Sequence, residues 1–167
     1  MAEVYVSIGS NVDRERHVRD CLFDLRDTFG RLRCSSVYQT RAVGFEGDDF
    51  YNLVVAFECD DEPLAIARRL KGIEAEHGRH LGEARFAPRT LDLDLLLHGD
   101  RILDTPELHL PRDEIERYAF VLCPLAELEP DRCYPGRSET FAQMWARFPQ
   151  DENELQRIEF EGMPCDD

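Results

Sequence analysis

The chain has 167 residues, of which 43% are hydrophobic, and this is enough for one folded domain with a buried core. Its formal net charge of −15 argues against general nucleic-acid binding, because contacts to a phosphate backbone need a basic surface. No stretch is long and apolar enough to span a membrane, and the N-terminus lacks the pattern of a signal peptide. The sequence therefore predicts a cytoplasmic protein with no membrane partner and no nucleic-acid partner.

The cysteines are scattered and show no C-x-x-C spacing and no nearby histidine at a metal-ligand distance. They are Cys21, Cys34, Cys59, Cys123, Cys133 and Cys165. This distribution predicts reduced thiols, with no zinc site and no disulfide framework.

The first half of the chain alternates predicted strands and helices. In order, these are a strand over 4–8, a helix over about 14–29, strands over 33–38 and 50–58, and a helix over about 63–77. A turn at Gly9-Ser10-Asn11 should end the first strand, and Asn11 or Asp13 could cap the first helix. A loop over 40–49 separates the second and third strands.

The second half begins with a loop over 79–88, which leads into a strand with strict alternation. Later elements are expected to be shorter: a strand over 101–103, helices over about 112–118 and 141–148, a helical turn over 124–128, and an edge strand over 156–160. The order β-α-β-β-α-β predicts an α+β sandwich in which helices cover a mainly antiparallel sheet. We expect one domain over 1–162 and a frayed tail over 163–167.

The alternating strand carries two aspartates, Asp92 and Asp94, between the leucines Leu91, Leu93, Leu95 and Leu97. Because side chains alternate between the faces of a strand, both carboxylates should lie on one face, ~7 Å apart, with the leucines on the other. Such a pair can bind Mg²⁺. An Asp-x-Asp pair on a strand is, however, more often only a solvated face, so the pair alone does not establish a metal site.

The loop before this strand is basic, although the whole chain is acidic. It contains Arg79, Arg85 and Arg89, and arginine presents planar donors that suit phosphate oxygens. A basic loop beside two carboxylates predicts a site for a metal-bound polyphosphate.

At these residues the chain resembles the 6-hydroxymethyl-7,8-dihydropterin pyrophosphokinase family. The most specific segment is 88–94, PRTLDLD, which matches the family signature P-R-T-L-D-[LI]-D. The segments 9–11, GSN, and 50–52, FYN, match as well, and the similarity extends from about residue 4 to residue 127. The patterns VGFEGD and LPRDEI resemble those of a divergent branch of this family.

The resemblance implies a ferredoxin-like α+β fold and a transfer of pyrophosphate from ATP to the hydroxymethyl group of the pterin, with release of AMP. It also implies two Mg²⁺ ions held by Asp92 and Asp94. We expect a monomer whose partners are its two small-molecule substrates.

The resemblance assigns residues to both substrates. Catalytic arginines at the phosphates would be Arg79, Arg85 and Arg89, and further ATP-binding residues would be Lys71, Glu74, Leu95, Arg112 and Arg117. Pterin-binding residues would be the stacking rings Phe50 and Phe120, the amide of Asn52, the loop residues Thr40 and Val43, and the covering ring of Phe86.

The chain departs from the family pattern in the segment before Phe120. Arg112 stands at a usual histidine and Tyr118 at a usual arginine, so Arg112 and Arg117 could supply the phosphate contacts from different directions. These departures leave two alternatives open. One is a related transferase with an altered substrate, and the other is a pterin-binding homologue without catalysis.

Overall fold

The structure is a computed structural model that describes residues 1–41, 49–78, 91–149 and 155–166. Its elements are, in chain order, β1 (Ala2–Ser10), α1 (Arg14–Phe29), β2 (Arg33–Cys34), β3 (Val37–Thr40), β4 (Phe50–Cys59), α2 (Pro63–Glu76), β5 (Asp92–His98), β6 (Leu103–Asp104), β7 (His109–Leu110), α3 (Glu114–Arg117), α4 (Ala119–Leu128), α5 (Phe141–Arg147) and β8 (Gln156–Ile158).

The main sheet has the strand order β5-β1-β4-β3-β8, and β2 also pairs with β4. Each of these pairings is antiparallel. The first four positions in this order, together with the crossovers through α1 and α2, give the ferredoxin-like arrangement. The predicted α+β fold is therefore confirmed, and β8 is a C-terminal addition at the far edge.

Helices cover both faces of the sheet, and each face has its own apolar core. On one face, α1 and α2 bury residues such as Val18, Leu22, Ile66 and Leu70 against Val6 and Leu93 of the sheet. On the other face, α4 and α5 bury residues such as Leu125, Phe141 and Met144 against Tyr5 and Val54. Both faces of the sheet are packed against apolar side chains, and this packing holds the sheet rigidly.

A β-bulge near the C-terminal end of β5 changes which face of the sheet its side chains point to. Tyr5 pairs with Leu97 and the next residue, Val6, pairs with Leu95, so Leu96 is an extra residue on β5. Leu91, Leu93 and Leu95 belong to the core under α1 and α2, as predicted. Leu96 and Leu97 both belong to the core under α4 and α5, so the predicted facing of Leu97 is wrong.

Several predicted boundaries differ from the structure. The predicted strand over 33–38 is two strands, because buried Ser35 interrupts the ladder and its Oγ accepts a hydrogen bond from the amide of Val54. The predicted turn at 9–11 begins later, since β1 continues through Ser10. Asp13 occupies the position before α1, but its carboxylate makes no capping hydrogen bond.

The helical turn predicted over 124–128 is the second half of a longer helix, α4, which begins at Ala119 and contains Pro124. Proline lacks the amide that an interior helical position normally uses, so the sequence suggested a shorter element. Burial of Val121, Leu122 and Leu125 against the sheet explains why the helix nevertheless continues.

Residues 163–166, which belong to the tail that was predicted to fray, contact the rest of the domain. Met163 and Cys165 pack against the core, and the amide of Asp166 donates to the carbonyl of Leu32 over 2.7 Å. Cys165 also forms a disulfide with Cys34, so the prediction that all six cysteines are reduced is wrong for these two.

Within the ranges that the structure describes, no helix combines the length and the apolar character that crossing a membrane would require.

Candidate active site

Three strands bring polar residues from distant parts of the sequence into one row across the sheet. Gly9, near the end of β1, pairs with Asn52 of β4 on one side and with Asp92 of β5 on the other. In the next row on this face, Ser7 pairs with Val54 and with Asp94. The predicted pterin-binding amide and the predicted metal ligands therefore lie on the same sheet face, on either side of a residue that has no side chain.

The two aspartates are both partly buried, with leucines of the core between and after them. Burial and the neighbouring charge of Asp92 raise the pKa of the Asp94 carboxyl to about 6, although Arg112 and Lys71 act in the opposite direction. The chain thus holds a carboxylate pair in a position where negative charge is unfavourable unless a cation is near.

This donor set fits magnesium bound together with a phosphate ligand. In the described part of the chain, no cluster of three or more histidine, cysteine or acidic side chains could enclose an ion. Mg²⁺ usually takes one or two carboxylates and completes its shell with water and substrate phosphates, so two carboxylates on one face are sufficient.

In the described part of the chain, Arg112 forms an ion pair with Asp94. Its Nη2 lies 3.2 Å from Oδ1 of Asp94, and its Nε lies 2.6 Å from Oε2 of Glu114. Its backbone amide donates to the carbonyl of Leu96 over 3.1 Å, which holds the segment before α3 against β5. Arg117, at the end of α3, is exposed, so of these two predicted replacements the structure brings Arg112 to the carboxylates.

A second ion pair lies on α2, the helix packed beside β5. Lys71 Nζ is 2.9 Å from Oε1 of Glu74, whose side chain is only 2% exposed. Both residues act electrostatically on Asp94, so α2 places them close to the carboxylate pair. Leu95, the other residue predicted on the ATP side, has a buried side chain and lies in β5, an end strand of the sheet order.

The residues predicted on the pterin side meet around Gly9. Asn52 is buried, and its Nδ2 donates to Oγ1 of Thr40 over 2.7 Å. A Cβ on Gly9 would lie 3.0 Å from Oδ1 of Asn52 and 3.7 Å from Cδ1 of Phe50. The amide of Asn52 is thus oriented by Thr40, with its oxygen over the bare backbone of Gly9.

Phe120 lies in the first turn of α4, on the face of the sheet that carries the aspartates. Its ring stacks on the ring of Tyr118, with centroids 4.9 Å apart and planes 17° apart. Tyr118, which replaces a usual arginine of the family pattern, therefore supports the predicted stacking ring.

Five predicted site residues lie outside the described residues. They are Val43, Arg79, Arg85, Phe86 and Arg89.

Described residues next to the two sequence segments that carry these five residues contact α1. The guanidinium of Arg14 donates to the carbonyl of Asp49 over 2.5 Å and lies 4.1 Å above the ring of Tyr51. At the end of α2, Nε2 of His77 is 3.0 Å from Oδ2 of Asp24. Sequence analysis missed these contacts because each joins residues far apart in the chain.

Sequence analysis also missed the role of Gly9 and the contact of Glu114 with Arg112. The glycine in the GSN segment could have indicated a position where a side chain is excluded, but a strand-to-helix turn explained it equally well. Its position between Asn52 and Asp92 follows only from the strand order.

Comparisons with known proteins agree with this geometry. The model of the 7,8-dihydro-6-hydroxymethylpterin-pyrophosphokinase family matches residues 5–130, which is most of the chain. The chain belongs to this family. The resemblance seen in the sequence is thereby confirmed, and the matched range includes the whole row from Gly9 to Asp92.

Curated members of the pyrophosphokinase family are similar over most of the chain. A protein of Pseudomonas aeruginosa is 38% identical over 136 residues, covering 79% of this chain and 83% of the relative. A protein of Aquifex aeolicus is 33% identical over 137 residues, covering 81% of this chain and 85% of the relative. Both relatives are named 2-amino-4-hydroxy-6-hydroxymethyldihydropteridine pyrophosphokinase.

Solved structures support the fold. The crystal structure of wild-type Plasmodium falciparum HPPK-DHPS with pteroate has a TM-score of 0.70 at 12% identity, covering 88% of this chain. A second HPPK-DHPS structure, in complex with substrates, has a TM-score of 0.65, also at 12% identity. This chain spans less than half of either longer protein, 42% and 43% respectively, so the likeness concerns the fold alone.

Replacement of Asp94 by asparagine should stabilise the protein at neutral pH. The pKa of Asp94 is raised from 3.8 to about 6 in the folded protein, so ionisation of this carboxyl opposes folding at every pH above about 4 and does so fully above about 6. The change Asp94→Asn should therefore increase the free energy of unfolding at pH 7 by ~2–3 kcal/mol, at ~1.4 kcal/mol per pKa unit.

Denaturant unfolding between pH 3.5 and pH 8 measures this effect. The gain should nearly vanish at pH 3.5, where the carboxyl is mostly protonated in both states, should grow as the pH rises from about 4 to about 6, and should level off above that. The exposed residue Asp131 supplies the control variant Asp131→Asn, which should show no such gain. A gain for Asp94→Asn that is independent of pH would contradict the argument.

Proposed function

We propose that this protein is the 6-hydroxymethyl-7,8-dihydropterin pyrophosphokinase of folate biosynthesis. It transfers the β,γ-pyrophosphoryl group of ATP to the hydroxymethyl oxygen of the pterin and releases AMP. The observation that carries the proposal is the row Asn52–Gly9–Asp92 on one sheet face. In this proposal the amide of Asn52 binds the heterocycle and the carboxylate of Asp92 binds the metal. The enzyme acts as a monomer in the cytoplasm.

Asp92 and Asp94 hold two magnesium ions in this proposal. When bound, the ions neutralise the ATP phosphates and align them for attack at the β-phosphorus. The chain supplies the fixed part of that arrangement, because β5 is buried between two helical layers and its two carboxylates share one face. Little reorganisation is then needed when charge develops.

The pterin lies above Gly9 in this proposal. Thr40 accepts a hydrogen bond from Nδ2 of Asn52, so the amide oxygen is oriented to accept from an N–H group at the ring edge. Phe50 and Phe120 stack on the two faces of the ring, which suits a flat heterocycle. The absence of a side chain at Gly9 lets the ring approach the sheet closely.

The ATP side draws on the remaining predicted residues. Arg79 and Arg89 contact phosphates, and Arg85 stabilises the charge that develops at the β-phosphorus. Lys71 and Glu74 lie beside the adenosine, while the backbone of Leu95 contacts the adenine. On the pterin side, the backbone of Val43 contacts the edge of the ring and Phe86 covers it. Closure of Arg85 over the nucleotide would exclude water and so limit wasteful hydrolysis of ATP.

The direct test measures AMP formed from ATP and Mg²⁺, with and without 6-hydroxymethyl-7,8-dihydropterin. We expect pterin-dependent AMP at an enzyme-like turnover, and a loss of at least about 100-fold in Asp92→Asn, because the metal ions lose a charged ligand. Asp27→Asn, an exposed residue of α1, is the matched control and should retain full activity.

Two results of this assay would refute the proposal in different ways. Pterin binding without any AMP would favour the alternative of a binding protein without catalysis. AMP released with another pterin, but not with this substrate, would favour the related transferase.

Gly9→Ala should weaken pterin binding about tenfold, which corresponds to ~1.4 kcal/mol. The added methyl group would lie 3.0 Å from the amide oxygen of Asn52 and would displace it from the ring edge. Titration calorimetry with the pterin measures the affinity. Thermal unfolding should change only modestly, because Gly9 does not have a positive φ and only the Asn52 side chain has to shift.

Gly72→Ala is the control for this variant, since a Cβ on Gly72 in α2 meets nothing within 4 Å. It should bind the pterin as the wild type does. Wild-type affinity in Gly9→Ala would remove Gly9 from the proposed binding surface.

A further inference from the structure

Arg112 is held by two carboxylates that contact different edges of its guanidinium group. Oδ1 of Asp94 lies 3.2 Å from Nη2, and Oε2 of Glu114 lies 2.6 Å from Nε. Asp94 belongs to the proposed metal site, whereas Glu114 opens α3 and lies outside the sheet. The guanidinium group therefore bridges the metal site and a carboxylate that is not part of it.

The contact with Asp94 occupies a carboxylate that a metal ion would need. A guanidinium group at 3.2 Å and a divalent cation on the same carboxylate repel each other strongly when both are partly shielded from water. The side chains of Asp94 and Arg112 are 22% and 34% exposed, so solvent screens this repulsion only in part. Metal binding and the Arg112–Asp94 ion pair should thus compete.

The contact with Glu114 need not break when Asp94 is released. Nε of Arg112 and Oε2 of Glu114 form a close ion pair without a hydrogen bond. Because Nε and Nη2 lie at different edges of the planar guanidinium group, the Nε edge can stay beside Glu114 while the Nη2 end becomes available. The hydrogen bond from the Arg112 amide to the Leu96 carbonyl keeps the backbone of Arg112 beside β5. The released charge then stays beside the metal site.

We propose that Arg112 is the exchangeable counter-ion of the metal site. It pairs with Asp94 when metal is absent and transfers to the polyphosphate that arrives with the metal, while Glu114 acts as the positioning residue that holds it throughout. This inference rests on the proposed function for the identity of the phosphate ligand. It also explains how an arginine serves where the family pattern has a histidine, since only a permanent cation can balance the empty site at every physiological pH.

The test compares two affinities in the same variants. Mn²⁺ binding to the protein alone is measured by electron paramagnetic resonance, and binding of Mn²⁺ with a non-hydrolysable ATP analogue is measured by titration calorimetry. Arg112→Gln should bind free Mn²⁺ about threefold or more tightly, since a competing charge is gone. The same variant should bind the metal–nucleotide complex about tenfold more weakly, since a phosphate contact is lost.

Two changes of opposite sign separate this role from a structural one, because a damaged site would lose both affinities. Arg112→Lys keeps the charge and should leave the affinity for free Mn²⁺ near that of the wild type. Arg147→Gln removes another ion-paired arginine, on α5, and should change neither affinity. Unchanged or weaker binding of free Mn²⁺ in Arg112→Gln would overturn the proposal.

The positioning role of Glu114 is tested by a double-mutant cycle on the nucleotide affinity. Glu114→Gln should weaken binding of the metal–nucleotide complex in the wild-type background but have no further effect in Arg112→Gln, because it acts through the arginine. Equal effects in both backgrounds would remove Glu114 from the mechanism.

The test of the counter-ion role of Arg112 and the test of the proposed function can fail independently. Pterin-dependent AMP formation together with unchanged free Mn²⁺ binding in Arg112→Gln would overturn the counter-ion role alone. The opposite-sign changes in a protein that forms no AMP would support the counter-ion role and reject the enzymatic proposal.

Discussion

The pairing of β1 between β4 and β5 is the constraint on which the rest of the site depends. These three strands fix Asn52, Gly9 and Asp92 in one row and Asp94 in the next, through backbone hydrogen bonds alone. A shift by one residue would turn these side chains into the opposite core. Apolar layers on both faces make such a shift costly, so the packing of the whole domain holds the geometry of the site.

Charge is the second factor that shapes the site, because its acidic side chains carry more negative charge than the neighbouring cations balance. Asp92, Asp94 and Glu74 lie close together, and burial raises the pKa of Asp94 to about 6. Lys71 and Arg112 balance part of this charge within the protein. Such a site is a cost to stability that is typical of functional positions, and in the proposed function the binding of metal and nucleotide would relieve it.

The sequence predicts what depends on local periodicity and fails where distant contacts decide. The facing of Asp92 and Asp94 follows from the alternation of leucines, and the helices over 14–29 and 63–76 follow from their apolar spacing. The bulge at Leu96 leaves no signal within a run of leucines. Equally, the Arg112–Asp94 ion pair and the Cys34–Cys165 disulfide join residues whose proximity arises only from the folded sheet.

The most direct measurement of the central claim is a crystal structure with Mg²⁺, a non-hydrolysable ATP analogue and the pterin. The account predicts metal ions on the carboxylates of Asp92 and Asp94, the pterin over Gly9 with its edge on the Asn52 amide, and Arg112 turned from Asp94 to a phosphate. Metal bound away from both aspartates, or a pterin on another face of the sheet, would contradict it.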